Sequence, residues 1–168
     1  MADLPDSISP EQRSPIEESK LFFVASVAPD LSGSPAGAGP VNLSPKGGVP
    51  LHVIDEHCVA HLDYQGSGNE TARHAQADGP ITIMVMSTTA SDAAIVRLYG
   101  HARVSPLDES PLASRLLESP ADEIRLTQRQ VVEITIERTQ TSCGYGVPIL
   151  EFVRERTVEE RGRRYKSG

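Results

Sequence analysis

The sequence predicts a mainly β fold, a small β-barrel with a few short helices. Three observations lead there: many short runs of β-branched and aromatic residues, hairpin-like spacing between them, and helical patterning confined to brief stretches. A barrel also removes the edge strands that an open sheet of such segments would leave unpaired. Nothing repeats at solenoid spacing.

With 168 residues the chain holds one compact domain, placed at residues 11–153, after a flexible N-terminal arm (1–10) and before a basic C-terminal tail (154–168). A formal charge of -7 and a pI near 5.2 argue against a general nucleic-acid binder, which needs a basic face for phosphates. The tail is interrupted by Glu155, Glu159 and Glu160 and reads as a solvated arm. Cys58 and Cys143 lie far apart, the pattern of reduced thiols in a cytoplasmic protein. No apolar stretch has the length of a bilayer crossing, and Met1 to Pro10 is acidic and polar, so no membrane partner is expected.

Taken in order, Pro10 to Lys20 suits a short helix capped by Ser9 or opened by Pro10, with Ile16 inward. Leu21 to Val27 is an uncharged run of aromatic and branched residues and should form a buried strand. Pro29 to Pro40, rich in Gly, Ser, Pro and Ala, is a long connection. Strands follow at Val41 to Lys46, Pro50 to Ile54 and Cys58 to Tyr64, with turns at Gly47-Gly48 and Asp55-Glu56. Ser67 and Glu70 are spaced as a capping box, which starts a helix at Ser67 that Gly79-Pro80 stops. Ile81 to Met86 and the alternating Ile95 to Val104 are strands, and Ser110-Pro111 opens a helix through Glu118. Val131 to Glu137 alternates again. A turn centred on Gly144 to Pro148 then leads into a final strand at Ile149 to Val153.

Two segments carry most of the chemistry, Val41-Asn42-Leu43-Ser44-Pro45-Lys46-Gly47 and Gly66-Ser67-Gly68-Asn69-Glu70-Thr71-Ala72. A glycine turn opening a helix presents N–H donors to an anion, and Lys46 adds a compact positive charge. Gln140 to Gly146 gathers polar groups and glycines after a strand, a composition suited to a ligand-facing turn. Metal binding is not expected. Although His52, His57, Cys58, His61 and Asp63 cluster in sequence, strand alternation sends Cys58 to the opposite face from His61 and Asp63.

With those residues in view, the chain resembles the pyridoxamine 5'-phosphate oxidase-like FMN-binding split-barrel superfamily, in its small bacterial branch. The resemblance rests on Lys20 to Ala25, Asn42 to Gly47, Leu62-Asp63-Tyr64 leading into Gly66 to Ala72, Arg97-Leu98-Tyr99-Gly100, and Gln140 to Pro148. It implies a homodimer of split barrels with FMN, or alternatively a deazaflavin, in clefts at the interface. By position, Ser44, Pro45 and Lys46 would lie beside the ring, while Ser67, Asn69 and Thr71 would surround the phosphate and ribityl end. Gln140, Thr141 and Ser142 would approach from one subunit. The implied activity is that of an oxidoreductase acting on a small organic molecule at flavin N5, with a non-catalytic flavin sensor, carrier or storage protein as the alternative. Ser67-Gly68-Asn69-Glu70 stands where the oxidases carry an arginine- and lysine-rich phosphate signature, which counts against vitamin B6 oxidation.

Overall fold

Residue alternation explains the sheet strand by strand. Leu21–Val27 (β1) buries Phe22, Val24 and Ser26 and turns Leu21, Phe23, Ala25 and Val27 to the other face. Pro80–Met86 (β5) does the same with Ile81, Ile83 and Val85. The computed structural model describes residues 4–30, 40–64, 69–90, 93–117, 129–157 and 160. Its remaining strands are Val41–Gly47 (β2), His52–Asp55 (β3), Cys58–Tyr64 (β4), Ala94–Pro106 (β6) and Arg129–Cys143 (β7). All pairings are antiparallel, in the order β2-β1-β5-β6-β7-β4-β3.

The expected barrel is corrected in one respect: β2 and β3 do not pair with each other, so the hydrogen-bonded ladder does not close. The sheet is nevertheless strongly coiled. In a flat sheet, five strand spacings would put β2 about 24 Å from β4, yet Lys46 Nζ of β2 lies 2.8 Å from Asp63 Oδ1 of β4. Phe22 of β1 likewise meets His61 of β4 edge to face, with ring centroids 5.2 Å apart. The inner faces therefore enclose one core, built on Phe22, Val24, Val53, Ile83, Leu98 and Ile134.

Pro10–Glu18 (α1) begins in a complete capping box, in which Ser9 Oγ accepts from the Gln12 N–H and Gln12 Oε1 accepts from the Ser9 N–H. It buries Ile16 in the core. Residues of the expected N-terminal arm are tied to the sheet: the Ile8 N–H donates to Glu56 O at 2.8 Å, and Thr139 N–H donates to Pro5 O at 2.7 Å. Glu70–Gln76 (α2) starts at Glu70, not Ser67, because Asn69 is left-handed at φ 46° and makes no side-chain cap. After a single 3-10 turn at Leu107–Glu109, Ala113–Leu117 (α3) seals a second apolar cluster, with Leu116 against Ala60, Leu62 and Val131 on the outer side of β4 and β7.

Two further expectations are corrected. Gln140, Thr141 and Ser142 are not in a turn. They belong to β7, whose pairing with β6 runs on to Cys143, because full-length ladder bonds satisfy the backbone that a polar sequence seemed to free. Ile149 to Val153 forms no strand, and its Leu150 N–H donates to Thr88 O in the loop after β5 at 2.9 Å. The Ser32 to Gly39 insertion and the tail beyond Glu160 lie outside the described residues. No helix among the described residues is long and apolar enough to cross a membrane.

Candidate functional site

Strand β2 divides its residues between two sides of the sheet. Asn42, Ser44 and Lys46 lie opposite Ser26, Val24 and Phe22, all buried, and so face inward. Val41, Leu43 and Pro45 are exposed on the outer face. The segment read from sequence as one contact surface is thus two surfaces, with Pro45 on the opposite side from Ser44 and Lys46.

On the inner side β2 is laced to α2. Asn42 Nδ2 donates to Thr71 Oγ1 at 3.1 Å, and Ser44 Oγ donates to Asn42 Oδ1 at 3.3 Å. Behind them, Ser26 Oγ lies 2.9 Å from Nδ1 of the buried His74. Asn69 Oδ1 accepts from Gln130 Nε2 at 2.8 Å, linking the start of α2 to β7. The structure links Ser44 through Asn42 to Thr71, two residues from Asn69 at the start of α2; Ser67, with Gly66 and Gly68, lies outside the described residues.

Lys46 is not a lone cation. Its Nζ donates to both carboxylate oxygens of Asp63 at 2.8 Å, with the two side chains only 17% and 9% exposed. Beneath this pair, His61 is fully buried. Its Nδ1 is 3.1 Å from Leu62 O, while Nε2 has no partner. Burial drives the His61 pKa down to about 4, outweighing the nearby Asp63 carboxylate and the Leu62 carbonyl, which both favour the charged ring. An unfolded-state pKa near 6.5 makes the sign plain: the stabilisation is full above that pH and is lost as pH falls toward 4. The loss amounts to about 3 kcal/mol. Urea midpoints measured between those two pH values should fall for the native sequence and fall much less for His61→Phe; parallel curves would dismiss the buried imidazole as the cause.

The outer face is organised by register. Pro45, Phe23, Met84, Arg97 and Gln140 form one continuous row of directly opposed residues across β2, β1, β5, β6 and β7. Val41 and Leu43 beside it are 64% and 65% exposed. Pro45 and Gln140 stand at opposite ends of the row, four strands apart on the outer face of a coiled sheet, where side chains diverge. At the Gln140 end, Arg97 Nη1 donates to Ser142 Oγ at 2.8 Å and Tyr99 Oη donates to Gln140 Oε1 at 2.8 Å. Thr141 instead accepts from Gln12 Nε2 of α1 at 3.0 Å.

A bulge is what turns these β7 residues outward. Val132, Ile134 and Ile136 are buried, and strict alternation would carry Arg138 and Gln140 into the core with them. The ladder slips between Tyr99 and Gly100: Tyr99 opposes Arg138, whereas Gly100 opposes Ile136, leaving Glu137 as the extra residue. Beyond the slip Thr139 is the buried one. Gly100 is essential to this arrangement, since a Cβ there would overlap the Thr135 carbonyl oxygen. Arg138 was absent from the sequence expectations because the expected strand ended at Glu137, whereas β7 runs on to Cys143. Arg97 and Tyr99 carried a signal, the Ile95-Arg97-Tyr99 alternation on β6.

Neither cysteine resembles a nucleophile. Burial, then Glu133 and Asp55, push the Cys58 thiol up to about 11, so it stays protonated at neutral pH, and Cys143 is exposed at the end of β7. Among the described residues no group of three or more His, Cys, Asp or Glu side chains converges for a metal.

Comparison with known proteins agrees with this geometry. The family model for pyridoxamine 5'-phosphate oxidase matches residues 8–143. The pyridoxamine 5'-phosphate oxidase family protein ustO of Aspergillus flavus is 31% identical over 150 residues, covering 88% of this chain. The chain spans only 56% of the length of that relative. A solved structure from Lactobacillus delbrueckii, ascribed to a pyridoxamine 5'-phosphate oxidase, superposes with a TM-score of 0.57 at 18% identity, covering 81% of this chain and 95% of that one. HupZ of Group A Streptococcus gives a TM-score of 0.56 at 19% identity, with 79% and 91% covered. At such identities the likeness is one of fold.

Proposed function

Because the chain belongs to the pyridoxamine 5'-phosphate oxidase family, we propose that it binds FMN between two copies of itself and serves as a flavin-dependent oxidoreductase for a small organic molecule. The observation that carries this reading is the outer row, where apolar Pro45, Phe23 and Met84 run into hydrogen-bonding Arg97 and Gln140 beside the exposed Val41 and Leu43. A flat ring with a polar rim fits that sequence of surfaces, and uncovered apolar area of this kind marks a contact face. Tyr145, Ile149, Phe152 and Val153 add further exposed apolar side chains after β7.

When bound, the flavin supplies hydride or electron transfer at N5. The chain's part is to hold and orient it. Pro45 is the β2 residue that meets the ring from the outer face. Ser44 and Lys46 act from behind, fixing β2 to α2 and β4 through Asn42 and Asp63. Ser67, Asn69 and Thr71 are assigned to the phosphate and ribityl end, and Gln140, Thr141 and Ser142 to the approach from the second copy. Lys46 offsets the Asp63 carboxylate behind β2, so its exchange for Met removes that cation and is expected to lower the reduction potential of bound flavin; an unchanged potential removes the pair from that role.

Reconstitution of the full chain tests the reading. Sedimentation should give a two-chain mass, FMN should bind with visible flavin absorbance, and Leu43→Glu should shift the protein to monomer and weaken FMN binding about tenfold or more. A native protein that stays monomeric and takes up neither FMN nor a deazaflavin would overturn it. Consumption of reduced nicotinamide in the presence of substrate separates the enzyme from a flavin carrier.

A further inference from the structure

The bulge at Gly100 sets four polar side chains in a square on the outer face, Arg97 and Tyr99 on β6 against Gln140 and Arg138 on β7. The two arginines occupy its diagonal, and diagonal neighbours in such a ladder stand about 7–8 Å apart at the backbone. Their donors are in surplus. Arg97 spends one of its N–H groups on Ser142 Oγ, Tyr99 spends its hydroxyl proton on Gln140 Oε1, and the Gln140 amide N–H pair is left over. Arg138 makes no hydrogen bond or ion pair among the described residues, and neither arginine has a carboxylate partner there. The carboxylate beside them, Glu137, is held by His101 Nδ1 at 2.9 Å.

Two uncompensated guanidinium groups on one patch are costly in mutual repulsion, and in a chain of net charge -7 they are not a consequence of general basicity. A half-buried Arg97 without a counter-ion, next to an arginine re-aimed by a bulge that only glycine permits, is an arrangement completed by an anion. Met84 lies directly beside Arg97 and Thr82 beside Tyr99, so the same patch borders a surface for an apolar body.

Resting on the flavin reading for the word substrate, we infer that this square is an oxyanion site that selects a small organic acid, its carboxylate held by Arg97 and Arg138 and its apolar part against Met84. Gln140, assigned above to the flavin approach, shares the square with both arginines and thereby sets the acid beside the ring. The selectivity is for charge, because an amide of the same shape lacks the second oxyanion lone-pair set that a guanidinium fork engages.

The site is testable with and without cofactor. In the flavin-free full chain, titration with sodium benzoate should move the Arg97 and Arg138 Nε–H resonances, and benzamide should leave them in place. Arg138→Gln, a change on an exposed side chain, and Arg97→Gln should each weaken benzoate binding about tenfold. With FMN added, Arg138→Gln, which lies outside the row assigned to the ring, should keep native FMN affinity. Benzoate and benzamide acting alike would overturn the inference. So would Arg138→Gln losing affinity for FMN while retaining it for riboflavin, since the square would then hold the cofactor's phosphate. If FMN fails to bind while benzoate still moves the arginines, the flavin proposal falls and the oxyanion site stands.

Discussion

Gly100→Ala should lower the thermal midpoint by roughly 10 °C, on the order of 3–5 kcal/mol, although it adds a single methyl group. The added carbon would overlap the carbonyl oxygen of Thr135 on the neighbouring strand. Because that oxygen belongs to a backbone ladder, relief requires moving β7 relative to β6, the most extensive pairing in the sheet. The damage is not confined to stability. If the slip between Tyr99 and Gly100 is lost, the parity of β7 beyond it reverses and Arg138, Gln140 and Ser142 leave the outer face. Differential scanning calorimetry and benzoate binding should therefore fall together. A variant within about 1 kcal/mol of the native chain, with binding intact, would show that the bulge does not depend on a bare α-carbon.

Lys46→Met should cost about 3 kcal/mol, because it removes the cation that offsets the Asp63 carboxylate in a position only 9% exposed. The double variant Lys46→Met with Asp63→Leu should recover more than half of that loss, since a buried pair exchanged for apolar side chains of similar size is often neutral. Urea denaturation of the two single variants and the double variant gives the coupling directly. Additive losses would mean that the 2.8 Å contacts contribute nothing net, and that the coil joining β2 to β4 rests on Phe22 and His61 instead.

Local patterning made much of the fold legible. The helix start at Ser9 and Pro10 and the apolar runs of β1 and β5 are written in neighbouring residues and appear where expected, whereas the helix expected from Ser110 to Glu118 is the shorter Ala113–Leu117 with Leu117 exposed. The polar segment at Gln140 to Cys143 misled because polarity was read as a turn, whereas its backbone is paired with β6 throughout. Ile149 to Val153 misled in the opposite way: its apolar residues suggest a strand, but no partner strand is available to it beyond one contact at Thr88. Of the candidate site, the grouping of Ser44, Asn69 and Thr71 came from the family resemblance, whereas the separation of Pro45 from Ser44 and Lys46 followed from the pleat once the inner face of β1 was known.

The amino-acid sequence on its own determined a mainly β protein of one family, the places where its strands begin and the segments that carry polar chemistry, because these depend on neighbours along the chain. Tertiary structure alone decided that Lys46 is neutralised by Asp63, that the ladder coils without closing, and that a one-residue slip turns Arg138 out beside Arg97. Register and ion pairing join residues tens of positions apart, and a single extra residue in one strand reverses every side chain beyond it, so no local pattern could have fixed them.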